Sequence, residues 1–369
     1  MQMNQVAVID VGSSKITALV GERGINKTFI IKGRFDYEYD GYENGKFFNE
    51  NKTVKVILSA VESLKYIMRD GLKTIYVGVP SDFTSVTVKE SQISFSKKKK
   101  IKSEDVETLF DAAFVLNSTN SVLINRSAVL YQLDDFRRLA NPLGTYSEIL
   151  KGRLSFIVCS EYFMKIVAEN IENNFGVKAE CVASSLAEAL YLFDAETRDR
   201  IAIILDVGYI ATTISVIQGD GIIYENSFPF GGGYLTASVC EKFGVDFPTA
   251  EYIKRKVNLC SLSGGKIDLI EAENGNYYPM EDVKRCVQNS LDNLCGYISD
   301  SFEKAGINIP DYVPLSITGG GISFIRGAKE HLSVRLGMPV KIVSPSVPML
   351  ESPLNSSLLA LLNVALEQS

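Results

Sequence analysis

The sequence has little of what hydrolytic triads and metal clusters are built from. It contains no tryptophan and a single histidine, His331, in a stretch (GAKEHLSVRLG) that predicts a surface helix. Its six cysteines are scattered without a C-x-x-C spacing, and several lie in apolar runs such as LSFIVC. A zinc cluster or a Ser-His-Asp triad would therefore have little to use. We expect reduced, mostly buried cysteines in a cytoplasmic protein.

Surplus positive charge and long apolar runs are also missing. The 369 residues include 38 Lys plus Arg against 44 Asp plus Glu, for a net charge of -6. This balance argues against a nucleic-acid partner. The opening MQMNQ leads into no signal-like segment, and no window is continuously apolar over transmembrane length. We therefore expect neither export nor a membrane span.

What the sequence does contain is a repeated pattern. Hydrophobic residues make up 46% of the chain, which is enough for two or more domains with real cores. VAVIDVGSSKITALVGE begins at Val6, and a near copy, IAIILDVGYIATTISVIQG, begins at Ile201. Each copy predicts a strand, a turn carrying Asp-Val-Gly, and a second strand. Two copies about two hundred residues apart predict two related α/β domains that face each other.

The repeated turn suggests phosphate and metal chemistry. Backbone amides after a strand end can hold phosphate oxygens, and Asp10 and Asp206 could flank one hydrated magnesium ion. One Asp-x-Gly turn is a weak signal, because such turns join hairpins in many proteins. Two GGG loops, at Gly231 and Gly319, each precede a predicted helix whose N-terminus could bind an anion, and they strengthen the case. No P-loop and no G-x-G-x-x-G after a strand is present.

A different composition separates the two copies. From about residue 82 to 151 the chain alternates polar and apolar residues, carries a KKKK run at Lys97 to Lys100, and then reads SEDVETLFDAAFVL. This pattern predicts a small inserted α+β subdomain. The lysine run is typical of a solvated strand edge that blocks stray pairing, although a contact with acidic lipid or a partner stays open.

These motifs together resemble a known family. IDVGSSKITALVGE resembles the first phosphate motif of the actin, Hsp70 and sugar-kinase superfamily, and specifically its FtsA branch of actin-like bacterial cell-division proteins. The same branch is supported by NPLG at Asn141, SSLAEAL at Ser184, FGGGYLT at Phe230, TAEYIKRK at Thr249 and ITGGGISFIRGAKEHL at Ile317. The resemblance covers nearly the whole chain in order. PilM, a pilus-assembly relative, is the main competitor.

The resemblance implies an actin-like, ribonuclease H-like α/β fold with two domains. Domain 1 would comprise residues 1–81, 152–198 and 345–369, and the inserted subdomain residues 82–151. Domain 2 would comprise residues 199–344, with a smaller insertion near 219–300. The last segment, SSLLALLNVALEQS, has apolar residues around its whole circumference and lacks the cationic face of an interfacial helix. It predicts a core helix of domain 1, so membrane contact would be indirect or weak.

The resemblance also implies an ATP and magnesium site in the cleft. Asp10 and Asp206 would be the catalytic carboxylates, and both would hold magnesium through water. The nucleotide contacts it implies are Gly12, Ser13, Ser14, Lys15, Gly208, Gly231, Gly232, Glu251, Lys254, Gly319, Gly320 and Gly321. Glu251 and Lys254 lie three residues apart on one helix face and would reach ribose and adenine. The alternative for this pair is an ordinary surface salt bridge.

The second phosphate motif departs from the family pattern. The family pattern at this motif is similar to Asp-Ile-Gly-Gly-Gly-Thr-Thr-Asp. This chain instead has DVGYIATT from Asp206 to Thr213. Tyr209 and the β-branched Ile210 restrict both conformation and access in a way that glycine does not. Either nucleotide binding survives while hydrolysis is lost, or the turn is rebuilt locally with its amides still directed inward.

The function that the resemblance implies is that of a cytoplasmic division protein, at most a slow ATPase. It would assemble into filaments near the inner face of the membrane and bind the FtsZ C-terminal tail and other division proteins. Two alternatives keep the fold: a PilM-like scaffold for pilus assembly and a nucleotide-free adaptor. A sugar-kinase-type phosphotransferase would need an aspartate base beside the cleft, which no sequence cue supplies.

Overall fold

The structure is a computed structural model that describes residues 5–25, 28–114, 120–261, 268–273, 275–307 and 309–369. Its strands are β1 (Gln5–Val11), β2 (Lys15–Arg23), β3 (Phe29–Glu38), β4 (Tyr42–Glu43), β5 (Lys46–Phe47), β6 (Thr74–Val79), β7 (Thr84–Lys100), β8 (Ser121–Leu133), β9 (Arg138–Leu139), β10 (Tyr146–Ser160), β11 (Lys178–Ala183), β12 (Ala202–Val207), β13 (Thr212–Gln218), β14 (Gly221–Phe228), β15 (Leu269–Glu271), β16 (Tyr277–Pro279), β17 (Leu315–Thr318) and β18 (Val340–Ile342).

Helices alternate with these strands. They are α1 (Glu50–Met68), α2 (Ser103–Ala113), α3 (Glu161–Phe163), α4 (Glu169–Phe175), α5 (Ser184–Leu192), α6 (Ala195–Arg200), α7 (Gly232–Phe243), α8 (Phe247–Lys256), α9 (Met280–Ala305), α10 (Ala328–Leu336) and α11 (Ser356–Gln368). A π-helical turn, Met164–Ala168, joins α3 to α4, and 3-10 turns lie at Arg69–Gly71, Ser81–Phe83 and Pro353–Asn355. The predicted helix SEDVETLFDAAFVL ends at Ala113, and its last two residues lie outside the described part.

Two five-stranded sheets repeat one topology. In the first, the order is β11-β6-β1-β2-β3, and in the second it is β18-β17-β12-β13-β14. In each, the central strand pairs antiparallel with the following strand and parallel with a later one. Asp10 lies opposite Thr17 and Asp206 opposite Thr213, so the two aspartates occupy equivalent register positions. The duplication predicted from the sequence is thus present in the sheets.

The first sheet is covered on both faces by helices. One face packs against α1, with Ile57, Val61 and Leu64 fully buried. The other face packs against α5 and α11. Leu358 and Leu361 of α11 lie against β1 and β2. Burial on both faces explains why β1 is an unbroken apolar run rather than an alternating one. The last helix is therefore a core helix, as its apolar circumference predicts.

The inserted subdomain is a four-stranded sheet, in the order β7-β10-β8-β9, with α2 on one face. β10 pairs with β7 from Tyr146 to Cys159, so the predicted boundary at residue 151 falls inside this strand. The stretch LSFIVCS belongs to this sheet and is not a separate strand of domain 1. Gly152 is paired on both sides, with Ser91 of β7 and Tyr131 of β8, and a Cβ there would lie 2.8 Å from the Leu109 side chain of α2.

The inserted subdomain contacts domain 2 through a tight hairpin between β13 and β14. Gly219 has a φ of +59°, and a Cβ there would lie 2.1 Å from the carbonyl oxygen of Val129 in β8. The Asp220 amide donates to the Ala128 carbonyl at 3.0 Å. Ile157, Ile204 and Ile222 then share one apolar cluster with α5. The two walls of the cleft and the inserted subdomain therefore meet in a common core.

Two simpler expectations concern cysteines and membrane spans. All six cysteines are free thiols; Cys159, Cys181 and Cys295 are buried, whereas Cys260 is exposed. Across the described residues, no helix combines the length and the apolarity needed to cross a membrane.

Candidate functional site

A cavity of about 350 Å³ lies between the two domains, where β1 and β12 end. This volume is within the range of about 300–1,000 Å³ that is usual for small-molecule sites. Most of the residues named from the sequence line it: Asp10, Gly12, Ser13, Ser14, Lys15, Asp206, Gly208, Gly232, Glu251, Lys254, Gly319 and Gly320. The structure therefore brings together segments from the whole length of the chain.

Gly231 and Gly321 lie behind the cavity wall rather than on it. A Cβ on Gly231 would be 2.5 Å from the Tyr209 carbonyl oxygen, and one on Gly321 would be 2.4 Å from the Gly208 carbonyl oxygen. Both positions need glycine because another backbone segment passes directly over them. Their role is to let two loops pack against the second Asp-Val-Gly turn.

The two Asp-Val-Gly turns close with the same hydrogen bond. The Gly12 amide donates to the Lys15 carbonyl at 3.0 Å, and the Gly208 amide donates to the Ala211 carbonyl at 3.0 Å. Tyr209 and Ile210 therefore occupy a turn of the same closure as the Ser13–Ser14 turn. Loss of two glycines has not opened the second turn.

The turns differ in which amides are free. The Ile210 amide donates across the cleft to the Ser13 hydroxyl at 3.1 Å. Within the described part of the chain, the amides of Ser13 and Ser14 have no hydrogen-bond partner. The first turn thus presents backbone donors to the cavity, whereas one donor of the second turn is already used.

The Tyr209 ring lies beside the start of α7. A Cβ on Gly233 would be 3.2 Å from its Cε1 atom, and its ring meets that of Phe247 at 6.2 Å in a T-shaped arrangement. It remains 37% exposed while lining the cavity. The tyrosine is therefore accommodated along the wall formed by α7 and α8.

The glycine loops do not offer free helix ends to an anion, contrary to the sequence-based expectation. The amides of Gly232 and Gly233 donate to the carbonyls of Gly208 and Tyr209 at 2.9 and 2.8 Å. The Gly321 amide donates to the Val207 carbonyl at 2.7 Å, and α10 begins only at Ala328. Because glycine allows such close approach, these amides brace the second turn instead.

The two aspartates lie in a poorly solvated cleft floor. Burial raises the pKa of Asp10, although a hydrogen bond from Ser357 (2.7 Å) and the charges of Lys15 and Arg34 partly oppose this. Burial and the neighbouring Asp10 raise the pKa of Asp206 to about 7. Burial and mutual repulsion disfavour ionisation of both carboxyl groups at once. A cation bound between them would favour the ionised form of both.

This pair fits a hydrated magnesium ion better than a fully protein-ligated metal. Across the residues that the structure describes, no cluster of three or more His, Cys, Asp or Glu side chains is placed to hold a metal. Magnesium typically keeps several waters and takes one or two carboxylates together with substrate phosphates. The donor set of Asp10 and Asp206 therefore matches magnesium that arrives with a phosphate ligand.

Glu188 of α5 is a cavity residue that the sequence reasoning missed. Its side chain is only 2% exposed, and one carboxyl oxygen has no hydrogen-bond partner among the described residues. Burial, with the charges of Asp206, Asp10 and Glu225, raises its pKa well above the usual value. The signal available in the sequence was a glutamate inside the otherwise small and apolar stretch SSLAEAL.

Glu251 and Lys254 form an internal brace rather than a surface salt bridge. The Lys254 ammonium is buried and donates to the Gly232 carbonyl (2.9 Å), the Thr236 hydroxyl (2.8 Å) and the Glu251 carboxylate (2.6 Å). Its three donors are thereby occupied. The pair reaches the cavity, but its amine fixes the first turn of α7.

The carboxylate of this pair is held ionised. Burial opposes ionisation of Glu251, but hydrogen bonds from Lys254, Thr236 and Arg255 outweigh it and place its pKa below the usual value. Arg255 also lines the cavity, and its side chain is 65% exposed. It is the more accessible cation on this wall, and the sequence reasoning did not name it.

Comparison with known proteins places this geometry in a protein class. The chain has the actin-like ATPase fold. It matches the PilM subunit structure of a PilM–PilN type IV pilus biogenesis complex with a TM-score of 0.65 and 15% identity, covering 98% of both chains. It matches MreB5 of Spiroplasma citri bound to AMPPNP with a TM-score of 0.56 and 11% identity, covering 100% of this chain and 97% of that one.

Sequence comparison confirms the resemblance to FtsA. The chain is 22% identical to cell division protein FtsA of Pseudomonas aeruginosa, covering 98% of this chain and 89% of the relative. It is 20% identical to FtsA of Neisseria meningitidis, covering 93% and 84%. The family model for type IV pilus assembly protein PilM matches residues 175–264. The predicted competitor, PilM, is therefore also similar, in sequence over this shorter stretch and in structure over 98% of the chain.

Proposed function

We propose that the cleft binds ATP with magnesium. The observation that carries this proposal is the pair of equivalent turns, each ending a central strand with an aspartate, that face one cavity from the two domains. The similar MreB5 structure holds a nucleotide analogue, which supports the same ligand class for this chain. A nucleotide held by both domains would favour the closed, assembly-competent arrangement.

Each wall of the cleft contributes a different contact to the nucleotide. The free amides of Ser13 and Ser14, with Lys15, would hold phosphate oxygens. Asp10 and Asp206 would accept hydrogen bonds from water on magnesium, which when bound offsets the negative charge of phosphates and carboxylates. Glu251, with Arg255 beside it, lines the wall suited to the ribose, and Gly319 and Gly320 form the loop for adenosine. These site assignments follow from the resemblance and from the shared cavity.

The chemistry of turnover is expected to be slow. The Ile210 amide already donates a hydrogen bond to the Ser13 hydroxyl. The second turn therefore has fewer donors for a phosphate oxygen in the transition state. Glu188 also lines the cavity, and burial raises its pKa, which disfavours the ionised carboxylate that a general base requires. Binding with little hydrolysis is therefore the expected behaviour.

We infer a role in cell division from the FtsA relatives. Copies of the chain would assemble into filaments near the division site, at the inner face of the membrane. There they would bind the FtsZ C-terminal tail and recruit other division proteins. The similarity to FtsA over more than nine-tenths of the chain supports this role. The PilM match over residues 175–264 favours the second candidate, a scaffold for pilus assembly.

Titration calorimetry with ATP, with and without magnesium, tests the cleft directly. Magnesium-dependent binding with little phosphate release is expected. Absence of binding at millimolar nucleotide would instead identify a nucleotide-free adaptor.

Partner choice needs a separate experiment. An FtsZ tail peptide and the cytoplasmic peptide of a PilN-type pilus protein, each immobilised, should be compared for capture of the purified chain. Capture by the FtsZ peptide alone is expected. Capture by the pilus peptide alone would replace the division role with the scaffold role.

A further inference from the structure

The inserted subdomain leaves one face of its sheet uncovered. The opposite face is closed by α2, whose Leu109 and Phe110 pack against Leu154 and Phe156. A cavity of about 540 Å³ lies on the uncovered face. It is lined by Glu90, Ser91, Gln92, Leu130, Gln132, Arg138, Lys151, Gly152, Arg153 and Gln218. The face is thus a concave groove that none of the described helices covers.

The strand register arranges these residues in rows across the groove. Gln92, Lys151 and Gln132 lie side by side on β7, β10 and β8, and Arg138 of β9 lies opposite Gln132. Arg153 lies two residues further along β10, on the same face as Lys151. The groove therefore presents two cationic side chains, Lys151 and Arg153, from alternate residues of β10.

The charge of the groove is opposite to that of the whole chain. Lys151 and Arg138 have no carboxylate within ion-pair distance in the described part of the protein, and the Arg153 guanidinium donates only to the Gln218 amide oxygen at 3.1 Å. Glu90 is the acidic residue of the lining. A net positive groove on a chain of net charge -6 is complementary to a negative ligand.

Lys100 extends the positive charge toward the end of β7. Lys99 is bonded to Asp105 of α2, so the neighbouring Lys100 lies on the uncovered side. Nearby acids are partly engaged: Asp134 accepts from Ser147 and from the Glu148 amide, and Asp135 pairs with Arg137. Glu148 itself is exposed. These acids keep their charge, so the positive character of the groove comes from Arg138, Lys151 and Arg153 of its lining.

We infer that this groove docks an acidic, extended peptide segment of a partner protein. Carboxylates at alternate residues of such a segment would meet Lys151 and Arg153, because side chains of an extended chain also alternate. The amides of Gln92, Gln132 and Gln218 can both donate to and accept from a peptide backbone. A segment in this position would contact the inserted subdomain and, through Gln218, domain 2.

The shape of the groove favours a peptide over a lipid surface. Its floor is a sheet face, and one end is closed where Gly219 and Gly221 of domain 2 press against β8 and β10. A flat bilayer reaches protruding side chains, whereas a narrow chain can enter a recess. The inference does not depend on nucleotide in the cleft.

Fluorescence anisotropy with a defined probe tests the inference. The probe is a fluorescein-labelled peptide of alternating glutamate and serine, and its control replaces each glutamate with glutamine. The full chain should bind the glutamate peptide and not the glutamine peptide. The double variant Lys151→Gln with Arg153→Gln should bind about tenfold more weakly.

Lys89→Gln is the matched control variant, because Lys89 is exposed and lies opposite Leu154, on the α2 side of the same sheet. It should bind the probe like the unmodified chain. No saturable binding, or an equal loss in Lys89→Gln, would overturn the inference. Thermal unfolding of each variant shows whether a loss of binding reflects loss of the fold.

Two further measurements distinguish other occupants. Sedimentation with phosphatidylglycerol vesicles that is lost in the double variant, without any peptide binding, would assign the groove to a membrane surface. A dimer in light scattering that the double variant abolishes, again without peptide binding, would assign it to a second copy of this chain. Either result would replace the peptide.

Discussion

The two Asp-Val-Gly turns of this protein have the same closure but different surroundings. In domain 1, the Ser13 and Ser14 amides face the cavity without partners in the described chain, and Asp10 is supported by Ser357. In domain 2, the Ile210 amide is taken by Ser13, and glycine-loop amides bind the carbonyls of the turn. The duplicated local geometry thus has unequal surroundings: the domain 1 turn keeps two amides unpaired among the described residues, whereas the domain 2 turn is braced by hydrogen bonds from other segments.

The largest expected effect concerns the domain 1 turn. Asp10→Ala removes one of the two carboxylates available to hydrated magnesium, and we expect magnesium-dependent ATP affinity to fall about 100-fold in calorimetry. Asp40→Ala, which removes an exposed carboxylate paired with Lys52, is the control and should leave affinity unchanged. Equal affinity in both variants would remove the magnesium assignment from Asp10.

The brace in domain 2 should matter first for stability. Lys254→Met takes away three hydrogen bonds and leaves Glu251 less well paired, so we expect the free energy of unfolding in urea to fall by about 1–3 kcal/mol. Arg255→Met removes a largely exposed pair to the same carboxylate and should cost about 0.5 kcal/mol or less. Similar losses in the two variants would show that the buried bonds add little.

Glu188 tests the floor between the two turns. Its pKa in the folded protein is raised by burial and by nearby carboxylates, so its contribution to stability declines as pH rises above the unfolded value of about 4.3. Glu188→Gln removes that penalty, and the Tm of the nucleotide-free protein should rise by a few degrees at pH 8. At pH 4 the two proteins should melt nearly together. A lower Tm at pH 8 would mean that the ionised carboxylate is stabilised in the fold.

The smallest expected effect comes from restoring glycines to the second turn. Because the turn already closes as the first one does, Tyr209→Gly with Ile210→Gly should change ATP affinity by no more than about threefold, equivalent to less than 1 kcal/mol. Circular dichroism would check that the variant is folded. A gain of more than tenfold would show instead that the two side chains obstruct the site.

Much of the architecture could be predicted because it follows from local patterns of apolar and polar residues. The buried strands on either side of Asp10 and Asp206, the inserted α+β segment and the apolar circumference of the last helix each follow from residues close together in the chain. The continuity of β10 past residue 151 was not predictable in this way, because it depends on pairing with β7 and β8, whose residues are distant in the sequence. Glu188 was missed because its neighbours in sequence are ordinary helix residues.

The sequence by itself determined the duplicated turn, the position of its aspartates and the residue types around the cleft. Only the tertiary structure decided which groups remain available to a ligand, because hydrogen-bond partners there come from distant segments. Ser13 and Ile210 are 197 residues apart, and Ser357 and Asp10 are 347 apart. The sequence likewise pairs Lys254 only with Glu251, whereas in the structure its ammonium also donates to Gly232 and Thr236 of α7. A local pattern specifies a donor or an acceptor, but burial and packing determine whether it is already satisfied.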